Sequence, residues 1–435
     1  MNDIIRIISA DGKAEEALYQ TLTARATETD RSVTAAVDAI IADVRQNGDE
    51  ALRRYNLKFD GVDTPVLEVP AEVLSSAADR CDPALRNALS RAADNIRRFH
   101  ERQRQTGYTD QPAEGVTLGV TVRGLNRVGL YVPGGTAAYP SSVLMNAIPA
   151  KIAGVRELIM ITPPPKTEGA LDGVLAAAQI AGVDRVFTVG GAQGIAAMAY
   201  GTGSIPAVDK IVGPGNIYVA TAKRQVFGKV DIDMIAGPSE ILIVADESAT
   251  PAFLAADLMS QAEHDPLASA ILLCTDRNIA LRTADELERQ CANLSRAGII
   301  RQALCDYGAI VVLDSVDEAL RTANRLAPEH LELCIANAAD RLPEVVNAGS
   351  VFVGHYSPEP LGDYYAGVNH VLPTGGTARF FSPLSVDSFI KKQSFVQYDR
   401  AALLAAAEDI LTLTAAEGLT AHGNAIAIRQ SEEDA

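Results

Sequence analysis

Beyond about Val116 the chain settles into a repeated alternation of short Val-, Ile- and Leu-rich runs with Ala- and Leu-rich helical stretches, and few folds accommodate that pattern. TLGVTVRGL and RVGLYVPGG read as strands closed by glycine. Helices are then expected over 142–153, 171–181, 192–200 and 216–227, with strands over 158–162, 185–189 and 210–212 between them. A second alternation starts at Ile241, with strands over 241–245, 270–275, 309–313, 331–335 and 350–353. Its helices are expected over 253–266, 279–293, 316–326 and 339–346. Apolar strands separated by helices predict parallel sheets covered on both faces. The expected fold class is therefore α/β, with two doubly wound, Rossmann-like units of similar size. Two such units suggest a structural duplication, although no sequence repeat accompanies it.

A chain of 435 residues exceeds what one hydrophobic core holds, so two large domains are expected. Residues 1–30 read as an N-terminal helical extension. Residues 127–237 form one α/β domain, and 31–126 joins 238–385 in a second, discontinuous one. Residues 386–435 read as a C-terminal helical tail, with an Ala/Leu-rich helix over 400–416 that packs on a neighbour or another subunit, and a frayed end at SEEDA. Helical spacing also marks 33–55 and 71–104. The latter ends in the charged run NIRRFHERQRQ, where His100 is expected to be solvated.

A net charge of −17 argues against nucleic acid and acidic lipid as partners. Tryptophan is absent and aromatic residues make up 5%, a poor supply of stacking platforms. MNDIIRIISADGKAEEAL holds no basic region followed by an apolar run, so no export signal is expected, and no apolar stretch reaches the length of a membrane span. The five cysteines, Cys81, Cys274, Cys291, Cys305 and Cys334, form no CxxC. That usage fits a reduced, cytoplasmic protein with cysteines as small core residues rather than metal ligands.

Glycine-rich junctions follow the strands of the first alternation: Gly134-Gly135, Gly190-Gly191 and Gly213-Pro214-Gly215. Glycines there let backbone N–H groups approach a phosphate at a helix N-terminus, where α/β sheets bind ligands. Neither GxGxxG nor GxxxxGK[ST] occurs, and every α/β protein needs glycine turns, so these junctions alone leave nucleotide binding open.

Polar residues that folding does not demand gather in four places. Gln261 and His264 stand three apart at the end of FLAADLMSQAEHDP, a helix that stops at Pro266. That spacing puts them on one face with Cβ atoms roughly 5–6 Å apart, suited to one cation or to a solvated helix end. Glu329 and His330 follow Pro328; they form a general-base pair if the turn aims both into one cleft, and otherwise a capped turn. The Gly/Pro-rich stretch 354–370 is a candidate binding loop that carries His355, Asp363 and His370. His422 lies between Gly418 and Gly423. Gln261, His264, Asp363 and His422 make a nitrogen/oxygen donor set suited to Zn²⁺ or Mn²⁺ with open positions, but spacing does not bring them together.

Long motifs carry a family resemblance: GLYVPGGTAAYPSSVLMNAIPAKIAGV, VGPGNIYVATAKRQV, DMIAGPSEILIVAD, LMSQAEHDP, LAPEHLEL, GDYYAGVNHVLPTGGTARFFSPLSV and EGLTAHGNAI. From about residue 33 to 429 the chain resembles histidinol dehydrogenase. The resemblance implies oxidation of L-histidinol to L-histidine through the aldehyde, with two NAD⁺. It implies one zinc ion per subunit, held by Gln261, His264, Asp363 and His422. Glu329 and His330 would be the acid/base pair. Substrate contacts would fall on Ser239, Gln261, His264, His330, Asp363, Glu417 and His422, and NAD contacts on Tyr131, Gln193 and Asn216. The resemblance further implies a homodimer in which His422 and Glu417 enter the partner's site. Competing readings are a same-family dehydrogenase of another small alcohol, such as a sulfonated diol, a zinc hydrolase, or a non-catalytic binding protein.

Overall fold

A computed structural model describes residues 4–11, 13–27, 31–134, 139–167, 169–235 and 237–431. Gly135 and the tail residues 432–435 lie outside the described residues. The chain divides into two compact units, Met1–Gln103 with Leu125–Phe389, and Arg104–Gly124 with Ile390–Ala435.

In chain order, β1 is Arg6–Ser9, β2 Tyr108–Ala113 and β3 Val116–Gly124. Next come β4 (Arg127–Tyr131), β5 (Glu157–Thr162), β6 (Arg185–Thr188), β7 (Lys210–Val212) and β8 (Asp231–Ile232). These five form a parallel sheet in the order β6-β5-β4-β7-β8. Then follow β9 (Glu240–Ala245), β10 (Ser269–Cys274), β11 (Ala309–Val312), β12 (His330–Cys334) and β13 (Ser350–Val353). With β1 they form a second parallel sheet, ordered β1-β11-β10-β9-β12-β13. Both sheets belong to the larger unit, and their central strands are apolar on both faces, as parallel sheets covered by helices require. The α/β class and the two doubly wound sheets are as expected, and most element ends fall within two residues of their expected positions.

Counted from its own first strand, each sheet is wound 3-2-1-4-5, with β1 added outside β11 in the six-stranded one. This shared winding is a duplication of topology without a repeat in the sequence.

Several segments lie elsewhere than expected. Residues 6–9 of the N-terminal extension are a strand, too short at four residues to show a period. The 31–103 segment reaches both sheets' surroundings: helix Arg31–Asn47 packs in the core of the five-stranded sheet, while Asn95 donates to the Tyr365 carbonyl at 2.9 Å and Gln103 accepts Val386 N–H at 3.2 Å. Val37, Ile40, Ile41 and Val44 of helix Arg31–Asn47 share a core with Ile195, Ala196 and Val219. Val69 N–H and Thr188 N–H exchange hydrogen bonds with Val186 and Leu67 carbonyls, so residues 67–69 close the β6 edge of that sheet. His100 is not solvated but fully buried. It continues the Leu89, Ala92, Ala93, Ile96 stripe of helix Pro83–Glu101, with Nδ1 2.7 Å from Gln103 Oε1, and burial pushes its pKa down.

In the smaller unit β14 (Ile390–Tyr398) pairs antiparallel with β3, which pairs with β2. A purely helical tail was expected there, but IKKQSFVQY matches the length and register of β3. Helices Arg400–Ala416 and Thr420–Ser431 follow. Among the described residues no helix is long and apolar enough to cross a membrane.

Candidate active site

In a 3-2-1-4-5 sheet the strand order reverses between the first and fourth strands, and the crevice beyond their C-terminal ends is where ligands bind. In the five-stranded sheet those strands are β4 and β7. Tyr131 ends β4, and its buried hydroxyl accepts a hydrogen bond from Gly191 N–H at 3.1 Å. Burial pushes the phenol up to about 12. Gln193 sits in the first turn of helix Gly191–Tyr200 with its buried Oε1 lacking a hydrogen-bond partner among the described residues. Asn216 caps helix Ile217–Val226, its Oδ1 accepting Tyr218 and Val219 N–H at 3.1 and 3.2 Å. Between β7 and that cap, Gly213 has φ 114°, and a Cβ there would stand 2.1 Å from the Tyr131 carbonyl oxygen. Only glycine lets the two strand ends meet so closely. The three residues expected to contact NAD stand at the C-terminal end of this sheet, Tyr131 and Gln193 buried and Asn216 at a helix N-terminus suited to a phosphate.

The six-stranded sheet carries its polar cluster at the opposite edge. Ser239 precedes β9, and Glu329 and His330 stand at the N-terminal start of β12. Helix Pro251–Ala262 follows β9 and runs back, so its C-terminal end delivers Gln261 and His264 to the same edge. Helix Glu359–Tyr364 brings Asp363 and Glu359. His330 is buried and its Nδ1 lies 3.0 Å from the Glu240 carbonyl oxygen, which can only accept; Nδ1 therefore carries the proton. Nε2 lies 3.6 Å from Asp363 Oδ1. Glu329 Oε2 accepts Glu240 N–H at 2.9 Å and lies 3.6 Å from His330 Nδ1. One backbone residue, Glu240, thus orients both members of the pair.

The electrostatics follow from burial and charge. Burial pushes Glu329 up to about 7, against the pull of His330. Burial works to lower His330, but the Glu329 and Asp363 carboxylates outweigh it and raise the imidazole to about 10. Asp363 resists burial through its bond to His330 and falls to about 2. Glu359 is raised to about 8 by burial and by Asp363, and its Oε2 accepts Ser260 Oγ–H at 3.0 Å.

His330, Glu359 and Asp363 offer ligand atoms within 4.8 Å of one another. Gln261 is 1% exposed and its Oε1 has no hydrogen-bond partner among the described residues, the state of an oxygen waiting for a cation. His264 lies at the rim, close enough for the charges of Asp363 and His330 to act on its ring. The donor set is nitrogen and oxygen without sulfur, and it fits a borderline-hard divalent ion.

Comparison with known proteins decides which chemistry this is. The histidinol dehydrogenase family model matches residues 23–430. Histidinol dehydrogenase of Listeria innocua is 52% identical over 97% of this chain and 99% of its own, and that of Clostridium acetobutylicum 51% over 99% and 100%. The crystal structure of histidinol dehydrogenase from Elizabethkingia anophelis superposes with a TM-score of 0.92 at 37% identity, covering 99% of both chains. The chain belongs to the histidinol dehydrogenase family. It is an enzyme, an NAD-dependent oxidoreductase of the histidinol dehydrogenase type, which sets aside the hydrolase and the non-catalytic binding protein.

Within this histidinol dehydrogenase fold the larger unit places Ser239, Gln261, His264, Glu329, His330 and Asp363 at one sheet edge and Tyr131, Gln193 and Asn216 at the C-terminal end of the other sheet. Glu417 and His422 are on the smaller unit and exposed: Glu417 ends helix Arg400–Ala416, and His422 stands in helix Thr420–Ser431 rather than in a loop between glycines. Sequence reasoning missed Glu359 and Glu332. Glu332 lies two residues from His330 on the same face of β12, accepts Glu359 N–H at 2.7 Å, and is pushed up by burial and by the charge of Asp257, one turn before Gln261. A glutamate in the middle of the buried strand HLELC was a readable signal.

Proposed function

We propose that the enzyme oxidises L-histidinol to L-histidine through L-histidinaldehyde, reducing two NAD⁺, at a site that holds one zinc ion. Gln261, His264 and Asp363 would hold the metal together with His422 contributed across a homodimer. A bound zinc supplies a Lewis acid that fixes the amino alcohol's nitrogens and so places its reacting carbon. His330 accepts the hydroxyl proton at Nε2, because Nδ1–H is committed to Glu240. Asp363, once engaged by a cation, no longer holds the His330 proton and leaves that nitrogen free to act as base. Tyr131, Gln193 and Asn216 would hold the NAD⁺, whose nicotinamide would supply the acceptor for the hydride of that carbon. Glu329, raised toward neutrality by burial, then takes a proton from the water that hydrates the aldehyde, and the second NAD⁺ would accept the hydride of that hydrate. Ser239 lines the substrate, and Glu417 of the neighbouring subunit pairs with its cationic nitrogen.

The observation that carries this reading is the His330 Nδ1–H held by the Glu240 carbonyl, together with a buried Gln261 oxygen that has no partner among the described residues. The dimer draws support from the smaller unit, where Val396, Leu413 and Ile428 are 70%, 64% and 55% exposed. Five cysteines that form no disulfide support a cytoplasmic setting. The test is NADH formed per L-histidinol consumed, with and without a chelator. About two NADH per substrate and loss of activity on metal removal are expected. NADH from a sulfonated diol but not from histidinol would move the substrate to that relative.

A further inference from the structure

A buried ion pair lies beneath the dinucleotide crevice, outside every role assigned so far. Lys223, in helix Ile217–Val226, and Asp233, just past β8, have side chains 4% and 1% exposed. Lys223 Nζ donates to Asp233 Oδ1 and, at 3.0 Å, to the Gly213 carbonyl oxygen. Asp233 Oδ2 accepts Gly213 N–H at 2.8 Å, and its Oδ1 accepts Met234 N–H at 2.6 Å. Both polar groups of one residue, Gly213, are thus held by one ion pair. Gly213 is the residue whose positive φ lets β7 meet the carbonyl of Tyr131, and Asn216 stands three residues on.

Burying two charges is costly, and an apolar pair of the same volume often stabilises a fold as well or better. Stability alone therefore does not account for this pair. We propose that Lys223 and Asp233 are positioning residues for NAD: they lock the Gly213 peptide, and through it the spacing between Tyr131 and Asn216. The inference rests on the reading that this crevice holds the dinucleotide. Neither residue touches the cofactor; both act through the loop.

The test uses the full-length enzyme with metal bound and reads NADH affinity by fluorescence titration, alongside the KM for NAD⁺, the KM for histidinol, zinc content and melting temperature. The variants are Lys223→Met, Asp233→Asn and the neutral double variant Lys223→Met with Asp233→Leu, which leaves no unpaired charge. Weakening of NADH binding by roughly ten- to a hundredfold is expected, the scale of loss when a binding group shifts by about an ångström. KM for histidinol and zinc content stay as in the parent. Lys223→Arg, which keeps the charge, recovers part of the affinity. If the single variants do not fold, the double variant and Lys223→Arg carry the test. A double variant that folds and binds NADH like the parent overturns the proposal and leaves the pair a purely structural one. Asn216→Ala is the control for the underlying reading: unchanged NADH binding in that variant sinks the crevice assignment itself, whatever the ion-pair variants do.

Discussion

The two parallel sheets share a winding but gather their polar groups at different edges. At the C-terminal switch point of the five-stranded sheet stand Gly213, the Asn216 cap and Gln193, small residues and amides. The six-stranded sheet has the same reversal between β9 and β12, but Asp246 fills it. Its Oδ1 accepts Ser248 N–H at 2.9 Å together with the Ser248 hydroxyl, and its Oδ2 accepts Ala336 N–H at 2.8 Å. A built-in carboxylate takes the backbone donors that a ligand phosphate would otherwise find. The acids and imidazoles of this sheet sit at the N-terminal edge instead, where returning helices end. Winding fixes where a crevice forms; local residues decide whether it stays open.

The largest effect that would sharpen the contrast is at His330. His330→Gln should lower kcat by about 10²–10⁴-fold, the usual contribution of a general base, with NADH affinity and zinc content unchanged. A parallel loss of NADH binding would mean that the two edges are not separate in function. Asp246→Ala should cost about 0.5–1.5 kcal/mol, read by denaturant unfolding, because it removes the carboxylate that accepts Ser248 and Ala336 N–H, while turnover persists in the folded enzyme. Loss of turnover without loss of stability would put the second crevice into the reaction. Asn216→Ala should raise the KM for NAD⁺ and, through the lost cap, cost about 1 kcal/mol of stability, with the KM for histidinol unaffected.

The smallest effects concern acid and base. In metal-free enzyme, Glu332, Asp257 and Glu359 have folded pKa values raised by burial, to about 6 for Asp257 and about 8 for Glu359. A raised acid contributes stability that is complete below its unfolded value and fades as pH rises through the folded one. Melting temperature should therefore fall from about pH 5 to pH 8, and Glu332→Gln should flatten that slope. The five-stranded side behaves oppositely. Its Glu68 carboxylate is held below the usual range by Arg185, so that pair's contribution is present above the unfolded pKa and vanishes as pH drops through the lower, folded value. The pair is partly exposed, so its loss should be well under about 1 kcal/mol.

How much of this was legible varied with the length and period of each segment. Strands such as β9 and β10 and helix Val316–Leu326 announced themselves because whole runs obeyed one period. β1 and β14 did not. Four residues hold no period, and the IKKQSFVQY strand is mostly exposed, so pairing with β3 rather than burial defines it. His100 was misread because its neighbours in sequence are charged while its neighbours one turn earlier are apolar. Among site residues, His330 and Glu329 stood out by type, but their shared anchor, the Glu240 backbone, has no side-chain signature. Glu359 was hidden between prolines in a loop whose folding back onto β12 depends on a contact with Glu332.

By itself the sequence determined the α/β class, the alternation that builds two sheets, the glycines that make a crevice, and the donor types for a hard or borderline cation. Those are local properties, written in period, turn chemistry and side-chain type. Only the tertiary structure decided at which edge of each sheet the polar groups gather, that His330 Nδ1–H meets the Glu240 carbonyl, and that the Asp246 carboxylate takes backbone donors at one switch point while Gly213 brings two strand ends together at the other. These depend on groups tens to hundreds of residues apart meeting within hydrogen-bonding distance, and spacing along a chain carries no record of such meetings.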